Sequence, residues 1–434
     1  MLRTKRHNKA TRAQTTPPGL RQTGEEDPMQ VYLGIDWSRH KHDAVLMNKE
    51  GAAIAELTFA HDRDGFERLH ALRGKLNVPP ADCVVGLETA HSLLVDFLWD
   101  QGYEQVYVVP PRAVKSSRTR YRQSGARSDP SDAYVLADML RTDRGRLQPW
   151  FPDTALTRQI RAKISLAMHL TRDIGRVSNR LQEVLWRYYP QATEMFSSLK
   201  TNISLAFLQA YPTPQAAAEL SFEAFRAFAR VHRYPQPKRL ARCFARLQEP
   251  HTEPNPVTVS TYAQETPLLA GILKTLVDAK KQVLCEIQEL FQQHPDAHIF
   301  QSLPGAGLLL APALLAKFGD DRRRFAKASS LQALAGTCPV TKSSGKWKTV
   351  RFRFACNREF RHIVQQWARS SVSSSAWACG YLERLRPRVR SMNHAYRCLA
   401  NRWLAIAWKL WQTGEAYDED YHLQQIAMRR QPVR

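Results

Sequence analysis

Between residues 30 and 110 the apolar positions come in short bursts separated by polar turns. QVYLGIDW (30–37), DAVLMN (43–48) and AIAELTF (53–59) lie close enough together to be adjacent hairpin strands. DGFERLHALRGKL (64–76) then carries its apolar residues at helical spacing. It is followed by the apolar run CVVGLE, the helical SLLVDFLWDQ and the strand QVYVVPP. Hairpins followed by alternating helix and strand predict an α/β layer, a sheet with helices packed on it.

Beyond residue 155 the period changes. Ile160, Ile164, Ala167, Ile174, Leu181 and Leu185 are spaced as one stripe of a long helix over 156–190. Leu269, Ile272, Leu276, Ala279, Val283, Ile287 and Leu290 repeat the pattern. Apolar residues alternating three and four apart predict coiled-coil packing, with each other or across a dimer. Between them, Pro212, Pro214, Pro235, Pro237, Pro250, Pro254 and Pro256 break residues 211–262 into short helices. A third block opens at SLPGAGLLLAPALLAKFGD, where Pro304, Gly305 and Gly307 predict a tight turn between two helices. That turn is similar to the helix-hairpin-helix, which offers backbone N–H groups to phosphate; a plain helical hairpin turn fits the same residues. The expected organisation is therefore α/β plus α. It comprises a tail over 1–28, an α/β domain over 29–155, and a coiled-coil segment with its Pro-interrupted insertion over 156–297. A mainly helical block over 298–415 and a tail over 416–434 complete it.

Charge changes the picture more than size does. The 434 residues hold 63 Lys and Arg against 40 Asp and Glu, a net charge of +23, which is the electrostatic footprint of a nucleic-acid binder. A basic ribosomal or membrane-surface protein would share it. Cysteines at 83, 243, 285, 338, 356, 379 and 398 form no CxxC pair, which argues against a zinc site or a disulfide framework and for a reducing, cytoplasmic setting. The longest apolar run, Leu308–Ala316, is too short to span a bilayer, so no membrane partner is expected. Residues 1–28 are polar and basic, with the composition of a disordered tail, and Met29 directly before the first strand is an alternative translation start.

Four carboxylates carry the candidate chemistry. Asp36 lies in an apolar strand, Glu88 closes another, and Asp129 and Asp132 stand three apart at the start of a helix, on one face. A carboxylate in or ending an apolar strand is costly unless something pairs with it. Oxygens converging from three elements suit Mg²⁺, and two such ions can clamp the attacking and leaving oxygens of a phosphodiester exchange. Asp129 before Pro130 also reads as a helix cap. Arg112, Lys115, Arg118, Arg120, Arg122 and Arg127 lie between the last strand and the acidic helix, and are expected to grip phosphate in a loop. Near the other end, Ser343 and Ser344 precede Gly345 in a loop flanked by Lys342, Lys346, Lys348, Arg351 and Arg353. By itself that loop reads as a surface turn.

Taken in order, Asp36 in GIDWS, Glu88 in GLET, the pair in SDPSDA, LPGAGLLLAPALLA, RRRF, LAG with its following Pro, and SSG followed by CNREFRH resemble the DEDD transposases of the IS-one-ten insertion-sequence family. Lys346 and Cys356 stand where the family usually has Gly, and Arg127–Ser128 where it has Lys-Thr. The resemblance implies a ribonuclease-H-like (RuvC-like) N-terminal domain in which Asp36, Glu88, Asp129 and Asp132 hold Mg²⁺. It also implies a coiled-coil dimerisation segment and a C-terminal domain whose Ser344 is the nucleophile, with Ser343 as the alternative. The partners it implies are donor and target DNA, a noncoding bridge RNA, and a homodimer assembling to a homotetramer. Two enzyme alternatives share these residues, a metal-only junction resolvase or nuclease and a Piv-type DNA invertase. A basic RNA-binding or chromosomal protein, its acids serving as caps and core partners, is the alternative outside enzymes.

Overall fold

The computed structural model describes residues 30–430 apart from positions 39, 89–92, 119, 121–128, 148, 151, 250–253 and 346. The tail expected over 1–28, Met29, Arg122, Arg127 and Lys346 lie outside the described residues, and Asp129 is described by its backbone alone. The chain divides into two compact units, residues 1–152 and 153–434.

The first unit is built on five strands and four helices: β1 (Val31–Asp36), β2 (Lys41–Met47), β3 (Ala53–Ala60), α1 (Arg63–Gly74), β4 (Cys83–Leu87), α2 (Leu93–Asp100), β5 (Gln105–Val108), α3 (Pro111–Arg118) and α4 (Asp129–Asp143). The sheet order is β3-β2-β1-β4-β5, with the β1–β2–β3 pairs antiparallel and β4 parallel to both β1 and β5. This mixed sheet agrees with the α/β layer predicted from the hairpin-then-alternating pattern.

Strand alternation explains why β1 and β4 are apolar throughout. Val31, Leu33, Ile35, Cys83, Val85 and Leu87 join Phe66 and Leu69 of α1 and Leu94 and Leu98 of α2 in one core. Tyr32, Met47, Val84 and Tyr107 face the other way, onto Ala137 and Leu140 of α4. Helix α4 lies very close to the sheet because Gly34 and Gly86 are register partners on that face. A Cβ at Gly34 would stand 2.0 Å from the Ala133 carbonyl oxygen, and one at Gly86 would stand 2.7 Å from a Leu140 methyl.

The second unit opens with α5 (Ala155–Tyr188). There follow α6 (Gln191–Met195), α7 (Asn202–Ala210), α8 (Pro214–Ala218), α9 (Phe222–Val231), α10 (Leu240–Leu247) and α11 (Pro256–Tyr262), then the long α12 (Glu265–Gln292). Ile160, Ile164 and Ala167 of α5 share a core with Val283, Ile287 and Phe291 of α12. Ile174, Leu181 and Leu185 share a second with Leu269 and Leu273. The two long helices therefore run antiparallel, and most of the apolar stripe is buried between them. Ile272, a stripe position, is instead half exposed at 51%. Capping residues punctuate the Pro-broken stretch: Thr213 and Ser221 each accept from a backbone N–H three residues on.

The rest of this unit is α13 (Ala297–Gln301), α14 (Gly307–Phe318), α15 (Ala328–Leu334), the hairpin β6 (Val340–Ser344) and β7 (Trp347–Arg351), α16 (Arg358–Ser371), α17 (Ala376–Leu385), α18 (Met392–Thr413) and α19 (Glu419–Arg430). The predicted turn joins α13 to α14, and Gly305 is needed there. Its φ is +70°, and a Cβ would sit 2.5 Å from the Ser370 carbonyl carbon. Trp367, fully buried, donates its indole N–H to the Pro304 carbonyl at 3.0 Å. Pro312 lies inside α14 and cannot donate to Leu308, whose carbonyl accepts from the Gln288 side chain instead. The stretch 416–434, which composition left as a tail, contains α19; its Glu419 carboxylate accepts from the Ser375 hydroxyl at 3.0 Å and from the Trp377 N–H at 2.8 Å.

Candidate functional site: an acidic cluster and a serine hairpin

In the first unit the strand register sets two of the four predicted carboxylates on neighbouring strand ends, and a third, Asp132, is close enough to Glu88 to act on its charge. Ile35 pairs with Leu87 across the parallel β1–β4 ladder, so Asp36 and Glu88 are the next positions on neighbouring strand ends. By alternation they share the face of Gly34 and Gly86, which α4 covers. Because α4 meets Gly34 through Ala133 while Ala137 packs with Tyr32, its N-terminus points toward the strand ends. That orientation brings Asp132, one residue before Ala133, to the same place. Asp129 opens the helix one turn earlier by its backbone.

The electrostatics are those of crowded acids. Burial first, and then the Asp132 carboxylate, hold the Glu88 carboxyl above its ordinary range, while the Arg118 guanidinium draws it back. Arg118, at the end of α3, donates to an Asp132 carboxylate oxygen. Its Nε is buried with no hydrogen-bond partner among the described residues. An oxygen-only donor set whose members repel one another, offset by a guanidinium, suits a hard divalent cation. Asp36, Glu88 and Asp132 could hold it, and the Asp129 side chain lies outside the described residues. Among the described side chains, no three His, Cys, Asp or Glu are grouped as a metal site.

Asp43 was missed by sequence reasoning. It is buried, stands directly across from Asp36 in the β1–β2 ladder, and accepts a hydrogen bond from the Thr58 hydroxyl. The available signal was the unpaired acid at the head of the apolar DAVLM, whose parity matches Asp36 only once the hairpin register is known. The basic segment also differs from expectation. Residues 111–118 form α3 rather than a loop, with Arg112 and Lys115 exposed. Arg118 turns inward to Asp132, and Arg120 pairs with Asp143 at 3.1 Å.

In the second unit Ser343 and Ser344 lie in β6 rather than in an open loop, with Gly345 at the turn at a φ of +53°. Short alternating segments with β-branched residues, VTKSS and WKTVR, close on that glycine. The register pairs Ser344 with Trp347, Lys342 with Thr349 and Val340 with Arg351 on one face, and Ser343 with Lys348 on the other. Lys342, Lys348 and Arg351 are exposed, whereas Arg353 is half-buried and donates to the Cys338 carbonyl at 3.4 Å.

Two stretches match known families, residues 33–190 to a DEDD transposase profile and residues 297–383 to one described as "Transposase IS116/IS110/IS902 family". The "Mini-circle putative transposase for IS117" of Streptomyces coelicolor is 30% identical over 91% of this chain and 97% of its own length. This chain belongs to the IS110 family of transposases. Similar relatives include the "Insertion element IS900 uncharacterized 42 kDa protein" of Mycobacterium paratuberculosis, 23% identical over 89% of this chain and 97% of that protein. The "Putative transposase y4uE" of Sinorhizobium fredii is 28% identical over 48% of this chain and 59% of its own. As an IS110-family transposase the protein is an enzyme that acts on DNA, and its DEDD class implies dependence on a divalent metal. The first profile covers all four predicted carboxylates, and the second covers both serines. No helix among the described residues is long and apolar enough to cross a membrane.

Proposed function

We propose that this transposase moves an insertion sequence by cutting and rejoining DNA through a phosphoserine intermediate at Ser344, guided by a bridge RNA. The observation that carries the reading is the shared register of Asp36 and Glu88 on the face that also receives Asp132. Asp36, Glu88, Asp129 and Asp132 would hold Mg²⁺, as two ions, which would supply charge neutralisation at the scissile phosphate. Ser344 Oγ attacks phosphorus, forming the serine ester as the bond to the departing DNA oxygen breaks, and the serine proton ends on that oxygen as a free DNA hydroxyl. Attack by a DNA hydroxyl on that ester reverses the exchange and joins new ends. The bond is conserved throughout, so no ATP is consumed.

Arg112, Lys115, Arg118, Arg120, Arg122 and Arg127 in the first unit, and Lys342, Lys346, Lys348, Arg351 and Arg353 in the second, contact phosphate. The Gly305–Gly307 turn offers backbone N–H groups in the helix-hairpin-helix manner. The long helices serve as the dimerisation segment, and dimers pair as a tetramer, so that a serine and an acid centre on different protomers make one composite site. Pairing with the bridge RNA supplies sequence specificity, which leaves the protein to recognise backbone and shape.

The test incubates purified protein with the noncoding RNA flanking its gene, donor DNA and Mg²⁺, followed by denaturation and mass spectrometry. A protein–DNA adduct on Ser344 that is lost in Asp36→Ala and Ser344→Ala is expected. Cleavage to free ends by Ser344→Ala, with no adduct in the parent protein, would mean that water is the nucleophile and that Ser344 is a turn residue.

A further inference from the structure

The hairpin that bears the serines exposes more ring surface than a two-stranded ribbon in water has reason to keep. Trp347 is 53% exposed, Val350 62% and Phe354 80%. Single apolar side chains at a surface need no explanation; these three fall within eight residues, and the register puts Trp347 on the face of the exposed cations Lys342 and Arg351 and Val350 on that of Lys348. The root of the ribbon is held firmly. The Phe352 ring has the Arg361 guanidinium 4.5 Å from its centre and that of Arg397 4.7 Å from it. Arg361 also donates to the Arg353 carbonyl. Phe354 meets Phe352 edge-on at 5.0 Å between centroids and keeps most of its own ring in solvent.

Aromatic rings between cations are the combination by which proteins hold single-stranded nucleic acid. Cations track the phosphates, and each base stacks on a ring whatever its sequence. Trp347 has a second distinction, because the β6–β7 register sets it directly across from Ser344 on the same face. We propose that Trp347 and Phe354 are stacking platforms for unpaired nucleobases, and that a strand lying along the hairpin has one base held on Trp347 beside the Ser344 hydroxyl. The occupant is a single strand of nucleic acid, selected by charge complementarity with Lys342 and Arg351 on the Trp347 face. The two rings are seven residues apart in sequence, at most about 25 Å of chain, which leaves room for several nucleotides between them. Trp347 is thereby a positioning residue for the proposed nucleophile, and the inference rests on the reading that this hairpin meets nucleic acid.

The experiment measures binding of the full chain to a labelled twenty-nucleotide oligo-dT, to oligo-U of equal length and to a duplex, by fluorescence anisotropy across a salt series. Trp347→Ala and Phe354→Ala are each expected to weaken single-strand binding about tenfold, equivalent to loss of one stacked base, with the salt slope unchanged because no charge is removed. Trp347→Phe should recover most of the loss, and Trp186→Ala, an exposed tryptophan on α5, should leave binding unaltered. A loss on oligo-dT alone assigns the platform to DNA, and a loss on oligo-U alone assigns it to RNA. Unchanged affinity in both ring variants, while Lys342→Ala and Arg351→Ala weaken binding and flatten the salt slope, overturns the platform and leaves the hairpin a phosphate contact. Unchanged affinity in all four overturns both.

Discussion

The acidic cluster and the serine hairpin are built in opposite ways. Asp36, Glu88 and Asp132 are half-buried at the ends of elements pressed together through glycine, so their carboxylates have little freedom. Ser344 stands exposed on a two-stranded ribbon whose firm contacts are at its root. Holding like charges together demands rigidity, since each carboxylate raises the cost of ionising the next. The attack proposed for Ser344, on a phosphate of a large substrate, demands exposure. The contrast is between a fixed electrostatic centre and an exposed hydroxyl.

The sharpest way to break this contrast is to remove one function from each region. Asp36→Asn and Ser344→Ala should each lower adduct formation by at least roughly 10³-fold, with donor-DNA binding retained, as read in a single-turnover gel assay. If Asp36→Asn keeps full activity, the acids are structural. The next arm compares two glycines. Gly34→Ala forces a methyl into the α4 backbone and should destabilise the first unit by about 3 kcal/mol. Gly345→Ala has open space and only its positive φ against it, and should cost about 1 kcal/mol. Equal thermal shifts would contradict the difference in packing.

Histidine gives a pH handle on the rigid unit. His42 is fully buried, 2.8 Å from a His61 ring nitrogen. Burial first and then His61 push its pKa down from 6.5 to about 4, against the opposing pull of Asp43. In that window the unfolded chain binds the extra proton, so stability rises with pH from about 4 to 6.5 and is lost as pH falls. His42→Gln should flatten that slope, which amounts to on the order of 2–3 kcal/mol, in denaturant melts at several pH values; an unaltered slope would place the titration elsewhere. The smallest effect is reserved for Ser343→Ala, which should leave adduct formation within about twofold, because the register turns Ser343 to the face opposite Ser344. A severe loss in Ser343→Ala with normal Ser344→Ala would exchange their roles.

The first unit was legible because period-two bursts and helical stripes are local signals. The strands around Gly34, Val45 and Val85, and the helix around Leu69, fall where the pattern puts them. Asp36, Glu88 and Asp132 were visible as acids in apolar surroundings. Asp43 was hidden, since its place beside Asp36 depends on a cross-strand register that alternation within one strand does not specify. The inward turn of Arg118 was equally hidden: an arginine among arginines gives no sign of which one finds a carboxylate. The β6–β7 ribbon escaped because five-residue strands that stay exposed lack an apolar face to announce them. Ile272 kept the spacing of a buried stripe yet lies half exposed, for a repeat dictates direction around a helix and not what arrives to cover it.

The close seat of α4 on Gly34 and Gly86 has a consequence in time. Every strand of the sheet precedes that helix in the chain, so the acids are brought together only after the whole sheet has left the ribosome. Ser344 follows Asp132 by 212 residues (344 − 132), which at ordinary synthesis rates of about 5–20 residues per second is roughly 10–40 s. Throughout that interval the nascent chain holds its carboxylates and lacks the β6–β7 ribbon. A message broken between the two yields a protein with the acids and without the proposed nucleophile.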